Sequence, residues 1–477
     1  MRLKLKYFGT SGIRGRTFID ITTQLAQRMA ISYAHVVLLG IDNPIIVIGR
    51  DPRFGAESIE MAVIAGLTSV GVSVIRCGIV PTPVLLTYQR YCKADGAVMI
   101  TGSHIPPDRI GLIFIGSDGA YCSDHTCFAI EQLYDDKNFT GLPEINSIGD
   151  LISIGTIKTA TNVYEVYEEF LKALIDIDKI KSYPFRLIID PGNGSASGFV
   201  TKFLGNLGLD ITAINDYFAP LSARLSEPID DNLTRLKELV VKGVDLGIAF
   251  DLDADRVTFV HYSKKGVTET VSANAVGGFM LKYLLSNELL GQVVLPINSS
   301  LQAEDILDQF GLKSVYCKIG QPGTVEMIKK FPKAIYAYEV SGKYYLLHYG
   351  ILWTDGILMM LKVLEILASS GVSLEHFIDL LPKYYSFFDK IEIQDGNMKK
   401  AITALEKSLH EKKFEGEINR VSIDGYRINF ANAWLLIRPS GTEPKIRIMS
   451  DSSNEAFAKD LLKQGREFCL KVISNIQ

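Results

Sequence analysis

The sequence predicts an α/β protein: three α/β domains with mixed, largely parallel sheets, followed by a smaller C-terminal α+β domain. Three observations carry this. The chain has 477 residues, more than one hydrophobic core ordinarily serves, so several domains are expected. Three segments repeat one plan, in which an apolar strand, a loop of small residues and a helix lead to a "G-apolar" opening of a second strand. Residues 380–477 abandon that plan.

The first repeat is "PIIVIGRDPRFGAESIEMAVIAGLTSVGVSVIRCG", the second "FRLIIDPGNGSASGFVTKFLGNLGLDITAIN", the third "GQVVLPINSSLQAEDILDQFGLKSVYCKIG". Uninterrupted apolar runs such as Ile45–Ile48 and Leu187–Ile189 suit strands buried on both faces. Gly71, Gly208 and Gly311 suit the ends of the intervening helices, where a left-handed residue closes the last turn. Recurring strand–helix–strand units predict parallel pairing. The tail reads as a helix in "KIEIQDGNMKKAITALEKSL", short strands in "GYRINFANAWLLIRPSGTEPKIRIM" and a closing helix in "NEAFAKDLLKQGREFCLKVI". The expected divisions are domain I over 1–156, domain II over 157–263, domain III over 264–379 and domain IV over 380–477.

Composition narrows the function classes. Hydrophobic residues are 47% and charged residues 22%, the profile of an ordinary globular protein. The net charge of −4, without any block of like charges, gives nucleic-acid binding little support. The opening "MRLKLKYFGTSGIRG" is basic but no long apolar segment follows it, unlike a signal peptide. "AHVVLLGIDNPIIVIG" is broken by Asp42, Asn43 and Pro44, so no membrane span is expected. A cytoplasmic protein is expected, without membrane or nucleic-acid partners. Six cysteines do not make a disulfide framework in a chain this long. Cys122, Asp124, His125 and Cys127 do not follow a usual zinc spacing, so idle or buried thiols are expected there.

The most informative stretch is "IAFDLDADRV". An apolar strand, Leu246 to Phe250, ends and releases Asp251, Asp253 and Asp255, followed by Arg256. In an extended chain, alternation places the three carboxylates on one side. Clustered like charges repel unless a cation neutralises them, and oxygen ligands alone suit a hard ion, Mg²⁺ first. The competing reading is a solvated acidic loop; the position at a buried strand's C-terminal end, where α/β sites form, favours the metal.

Other stretches contribute polar groups. "IRPSGTEPKIRI" offers Arg438, Lys445 and Arg447 with the hydroxyls of Ser440 and Thr442, and Gly441 permits a backbone concavity, a mixture that fits a phosphate or, taken alone, an ordinary turn. "FGTSGIRGR" carries glycines, two hydroxyls and Arg14, and "YEVSGKYY" carries Glu339, Ser341 and Lys343. "VMITGSHIPPDRIGLIF" presents Ser103 on a Gly/Pro-rich loop after a strand, where a nucleophile is often placed. Its neighbour His104 points to the other side of an extended chain and is badly placed to deprotonate it. "LIIDPGNGSASG" is one residue too long for a dinucleotide-binding fingerprint, and a tight strand-to-helix turn explains it better.

Taken together, "FGTSGIRG", "TGSHIPPDR", "DLDADR", the Glu339-Val-Ser-Gly run and "RPSGTEPKIR" stand in the order and spacing of the α-D-phosphohexomutases, the phosphoglucomutase/phosphomannomutase family, which this chain resembles over essentially its whole length. The resemblance implies four domains around a central cleft. It implies that Ser103 is carried as a phosphoserine and exchanges its phosphoryl group with a phosphorylated hexose, with a hexose 1,6-bisphosphate as activator. It implies Mg²⁺ held by Asp251, Asp253 and Asp255 with a phosphoserine oxygen as a further ligand, and positive charge from Arg14 and Arg256. Arg438, Ser440, Gly441, Thr442 and Arg447 are then expected at the other phosphate, and Glu339 and Ser341 at sugar hydroxyls. A monomer or homodimer is expected.

Four positions depart from the family pattern. The serine motif usually continues as "NG-x-K"; here Ile110 replaces the asparagine and Ile113 the lysine held to shuttle a proton. The family's "SGH" reads "SGK" at Lys343, and a histidine common after "K-x-G" is Gln321. Isoleucine cannot move protons, so the acid–base role passes to Lys343 or Arg14, or turnover is slow or absent. The alternative function is a phosphosugar-binding protein with little catalytic activity.

Overall fold

The structure is a computed structural model, describing residues 5–9, 12–142, 154–394, 398–440 and 444–474. Two compact units emerge: Met1–Ala273 with Ser341–Phe377, and Asn274–Val340 with Ile378–Gln477.

All three sequence repeats form the expected parallel units. Ile45–Arg50, helix Ala56–Ser69 and Ser73–Ile79 make the first, with Ile46 opposite Val74. Arg186–Asp190, helix Phe199–Asn206 and Asp210–Ala213 make the second, with Leu187 opposite Ile211. Gln292–Pro296, helix Leu301–Gln309 and Ser314–Cys317 make the third, with Val294 opposite Val315. Gly71, Gly208 and Gly311 each follow the helix of their repeat with φ between +69 and +84°, a conformation that glycine adopts without a Cβ penalty.

In the first unit a seven-stranded sheet runs Phe8–Gly9, Gly12–Arg16, Arg109–Ile115, Gly96–Ile100, Ile45–Arg50, Ser73–Ile79, Ile157–Thr159. Its first four strands pair antiparallel and the rest parallel, a mixed sheet. Ile46, Ile48, Val98, Ile100, Leu112 and Phe114 pack under helices Thr23–Val37 and Ala56–Ser69 as one core. The second sheet runs Thr268–Thr270, Val257–Tyr262, Leu246–Phe250, Arg186–Asp190, Asp210–Ala213. Leu246–Phe250 is buried at every residue, with a parallel neighbour on one side and an antiparallel one on the other, as its unbroken apolar run required.

In the second unit, strands Ser314–Cys317, Gln292–Pro296 and Ala334–Glu339 are parallel. The C-terminal residues form an antiparallel sheet in the order Tyr385–Glu392, Lys445–Ser452, Ala433–Pro439, Tyr426–Phe430, Asn419–Val421, backed by helices Met398–Glu411 and Glu455–Ser474. The tail is therefore the small α+β domain that the sequence predicts.

Candidate active site

The strand Gly96–Ile100 delivers Ser103 into a tightly held loop. Asp51 accepts from Thr101 Oγ1 at 2.6 Å, from the Gly102 amide at 3.2 Å and from Arg53 Nε at 2.8 Å. Arg53 in turn donates to the Ser103 carbonyl at 3.0 Å and the Arg109 carbonyl at 2.7 Å. A Cβ on Gly102 would lie 1.8 Å from Arg53 Nη1, so only glycine lets the guanidinium reach across. Ser103 itself is buried with φ of +49°, a left-handed conformation in which serine is strained.

That backbone overturns one premise of the sequence reading. The loop is not extended, and Ser103 Oγ lies 3.4 Å from His104 Nδ1. His104 is still a poor base, for a different reason. Arg256 donates to Nδ1 at 2.8 Å, and its charge, then burial, then Arg14 and Lys343 hold the imidazole far below its ordinary value.

The aspartate loop departs from extended geometry too. The Ala254 amide turns back to the Asp251 carbonyl at 3.1 Å, and Ala254 has φ of +53°. The three carboxylates converge nonetheless, through a tight turn rather than strand alternation: one oxygen of each lies within 4.8 Å of the others, and all three residues are buried. Ser103 Oγ donates to Asp251 Oδ2 at 2.7 Å, Thr82 Oγ1 to Asp253 Oδ2 at 2.8 Å and Lys343 Nζ to Asp255 Oδ2. Asp253 Oδ1 and Asp255 Oδ1 are buried without a hydrogen-bond partner among the described residues. Burial first, then the charge of Asp255, raises the carboxyl of Asp251; burial, Asp255 and Asp251 together raise that of Asp253 well above the ordinary range. Buried anionic oxygens left open in this way are what a hard divalent cation relieves, so the donor set fits Mg²⁺. The Gly-rich turn after Asp190 lies beneath: Ser195 donates from its amide and hydroxyl to the Leu252 carbonyl, each at 2.8 Å, and a Cβ on Gly194 would lie 2.7 Å from Leu252 Cα. Close packing under the aspartate loop, not nucleotide binding, accounts for that motif.

Arg256 Nε stands 3.6 Å from Asp251 Oδ2, while Nη1 pairs with Glu227 at 2.8 Å. The Arg14 guanidinium is near enough to be depressed by burial and by Arg256 and supported by Asp253 and Asp255, and its Nε has no hydrogen-bond partner among the described residues. Lys343 is buried and its Nζ pairs with Asp255 Oδ2, which sets this candidate for the acid–base role against the aspartate cluster. Ser341 Oγ is buried without a hydrogen-bond partner among the described residues. Ile113 is buried in the strand Arg109–Ile115 opposite Met99, and Ile110 packs into the core. In the first unit the structure thus brings together Ser103, Asp251, Asp253, Asp255, Arg256, Arg14 and Lys343.

The second unit holds the remaining candidates. Glu339 ends its strand, buried, 3.5 Å from Thr324 Oγ1. Arg438 and Arg447 face each other across adjacent strands, and Lys390 is the next partner of Arg447. Like charges directly opposite repel, so nearby anions favour this row of three cations, as Glu392 does 3.3 Å from Lys390 Nζ. Asp424 supplies another, 2.9 Å from Arg438 Nε. The Ser440 amide donates to the Lys445 carbonyl at 2.8 Å, closing the base of the loop. Gly441 and Thr442, like the two hydroxyl residues Thr10 and Ser11, lie outside the described residues.

Sequence reasoning missed Asp51, Arg53, Thr82, Tyr121, Glu227 and Asp424. Tyr121 is buried beside Asp255 and Asp253, and burial followed by those charges raises its phenol well above the ordinary value. One signal was available: Asp51 and Arg53 follow the strand Ile45–Arg50 at its C-terminal end, the position used to favour the aspartates.

Comparison with known proteins bears on this arrangement. Residues 5–141, 165–264 and 272–384 match alpha/beta/alpha domains I, II and III of the phosphoglucomutase/phosphomannomutase family, and 392–467 match its C-terminal domain. The chain is 31% identical to a phosphoglucomutase/phosphomannomutase of Thermococcus kodakarensis over 463 residues, covering 96% of this chain and 97% of that one. It is 31% identical to a phosphoglucosamine/phosphogalactosamine mutase of Sulfurisphaera tokodaii, covering 96% and 98%. A solved phosphoglucomutase/phosphomannomutase family protein from Burkholderia thailandensis shares the fold, with a TM-score of 0.82 at 21% identity over 98% of this chain and 97% of that one. With all four domains in order and relatives matched almost end to end, the chain belongs to the phosphoglucomutase/phosphomannomutase family.

Proposed function

We propose that this protein is a phosphohexomutase that interconverts hexose 1-phosphate and hexose 6-phosphate through a phosphoserine at Ser103 and a bisphosphorylated sugar. The observation that carries the reading is the 2.7 Å contact between Ser103 Oγ and Asp251 Oδ2, which sets the hydroxyl at the edge of three buried, converging carboxylates.

Phosphoserine 103 gives its phosphoryl group to the free 6- or 1-hydroxyl of the sugar: the Ser103 O–P bond breaks, a sugar O–P bond forms, and the proton that the sugar hydroxyl loses is balanced by the one that the released Ser103 oxygen takes up. The bisphosphate then presents its other phosphate, which returns to Ser103. A hexose 1,6-bisphosphate primes an enzyme that has lost its phosphoryl group. Asp251, Asp253 and Asp255 would hold Mg²⁺, which when bound offsets charge on the transferring group. The clamp of Asp51 and Arg53 fixes the serine loop, and Arg14 and Arg256 add positive charge where the phosphoryl group moves. Arg438, Ser440, Gly441, Thr442 and Arg447 grip the non-reacting phosphate, a role supported by the cross-strand cation row. Glu339 and Ser341 hold sugar hydroxyls. Glucose, mannose and glucosamine phosphates are the candidate sugars.

A second reading, a phosphosugar-binding protein with little turnover, is favoured by one observation: Ile113, in place of a proton-shuttling lysine, is buried and apolar. Positioned acid–base groups contribute about a hundredfold to ten-thousandfold. One experiment separates the readings. Intact-mass and phosphopeptide analysis after incubation with glucose 1,6-bisphosphate or mannose 1,6-bisphosphate should place one phosphoryl group on Ser103, and coupled assays on each hexose 1-phosphate should detect turnover. Labelling elsewhere, or none, refutes the mutase; binding without turnover supports the second reading.

A further inference from the structure

The three-aspartate cluster contains its own cation. The amide of Val257, just past the aspartate loop, donates to the Gly342 carbonyl at 3.2 Å, and Gly342 has φ of +84°. This pairing brings the next residue, Lys343, alongside the loop, where its buried ammonium bonds Asp255 Oδ2. The other oxygen of that carboxylate, Oδ1, and Asp253 Oδ1 have no hydrogen-bond partner among the described residues. The ammonium occupies Oδ2, so Asp255 could offer its other oxygen to a metal ion.

The charges around the cluster come from several elements. Three carboxylates stand against Lys343, Arg256 and the more distant Arg14. Arg256 is shared with Glu227 at 2.8 Å and His104 at 2.8 Å, so only part of its charge serves the cluster. Arg53 is committed to Asp51. Lys343 is thus the cation in closest contact with a carboxylate set that the sequence alone would count as triply negative. Hard-cation affinity follows the net charge of the ligand set, and a fixed positive neighbour lowers it.

We propose that the Lys343 ammonium is a built-in counter-cation of the aspartate cluster, which stabilises the metal-free site and weakens its hold on divalent cations. It rests on the reading of Asp251, Asp253 and Asp255 as Mg²⁺ ligands. A purely structural ion pair makes a different forecast: its loss destabilises the protein equally with and without metal and leaves metal affinity unchanged.

The test compares the wild-type protein with Lys343→Met, which keeps most of the length of the side chain without its charge, and Lys343→Arg, which keeps the charge. Phosphorylation of Ser103 is matched by mass spectrometry in all three. Calorimetric titration with Mg²⁺, repeated with Mn²⁺, should give Lys343→Met a dissociation constant at least tenfold lower than wild type, and Lys343→Arg one within about threefold of it. Thermal midpoints should fall for metal-free Lys343→Met and recover on adding Mg²⁺ by more than in wild type. Equal Mg²⁺ affinities in wild type and Lys343→Met overturn the counter-cation while leaving the metal site standing. Absence of binding in both overturns the metal site and the inference with it. If Lys343→Met fails to fold, Lys343→Gln carries the same comparison.

Discussion

Asp355 gives the structure a pH-dependent stability with a defined sign. The residue is 3% exposed. It caps the helix Gly356–Ser370 by accepting from the Leu358 amide at 2.8 Å, and Tyr167 Oη lies 2.8 and 2.9 Å from its two oxygens. Burial pushes the carboxyl up from 3.8 to about 6, against the opposing pull of the Leu358 amide and Tyr167. A folded value above the unfolded one means that the stabilising contribution is complete below pH 3.8 and is lost as pH rises through about 6. A rise of roughly two units corresponds to about 3 kcal/mol held against the folded state at pH 8. Asp355→Asn stays neutral, keeps an acceptor for Leu358 and caps a helix about as well as aspartate. The variant should therefore match wild type at pH 4 and gain up to about 3 kcal/mol at pH 8, roughly 5 °C in thermal midpoint for a unit of this size. Scanning calorimetry at both pH values measures this, following the transition that shifts, because two compact units need not melt as one. A variant no more stable than wild type at pH 8, or equally stabilised at both pH values, refutes the reasoning.

Two further substitutions probe the candidate site. Gly102→Ala drives a methyl into Arg53 Nη1 and should displace the clamp on Ser103, cutting phosphoserine stoichiometry in the glucose 1,6-bisphosphate experiment and lowering the thermal midpoint; unchanged labelling would show that the clamp does not position the serine. Arg438→Ala would break the ion pair of buried Asp424, at a cost of about 3–5 kcal/mol, so Arg438→Lys is the cleaner variant. It keeps the charge but loses the planar fork, and should raise KM for the hexose phosphate about tenfold with a smaller change in kcat; an unchanged KM would return the loop to a structural turn.

The parts of the fold legible in the sequence were those written as periodic runs. Leu246–Phe250 was bounded correctly because five consecutive apolar residues end abruptly at an aspartate, and the three parallel units because each repeats strand, helix and glycine in one order. The candidate site was legible where residues cluster in sequence, as in the aspartate loop. It was opaque where single polar residues arrive from distant elements: Thr82 reaches Asp253 across 171 positions, and Glu227 reaches Arg256 across 29. No spacing rule marks such partners, because each stands alone in its own stretch of sequence.

Backbone conformation was equally hidden, and it links the two central loops. Ser103 and Ala254 both have left-handed φ, +49 and +53°, though neither is a glycine or an asparagine. Each such residue costs roughly 1 kcal/mol or more and persists only where its surroundings over-determine it. Around Ser103 the surroundings are Asp51, Arg53 and Thr101; around Ala254 they are the Gly356 amide at 3.1 Å to its carbonyl and the turn back to Asp251. A reading that assumed extended chain at both loops placed Ser103 away from His104 and attributed the convergence of the aspartates to alternation. The strain reverses the first conclusion and supplies a different cause for the second. It is also what turns Ser103 Oγ toward Asp251, so the contact on which the proposed function rests depends on a conformation that residue types alone do not specify.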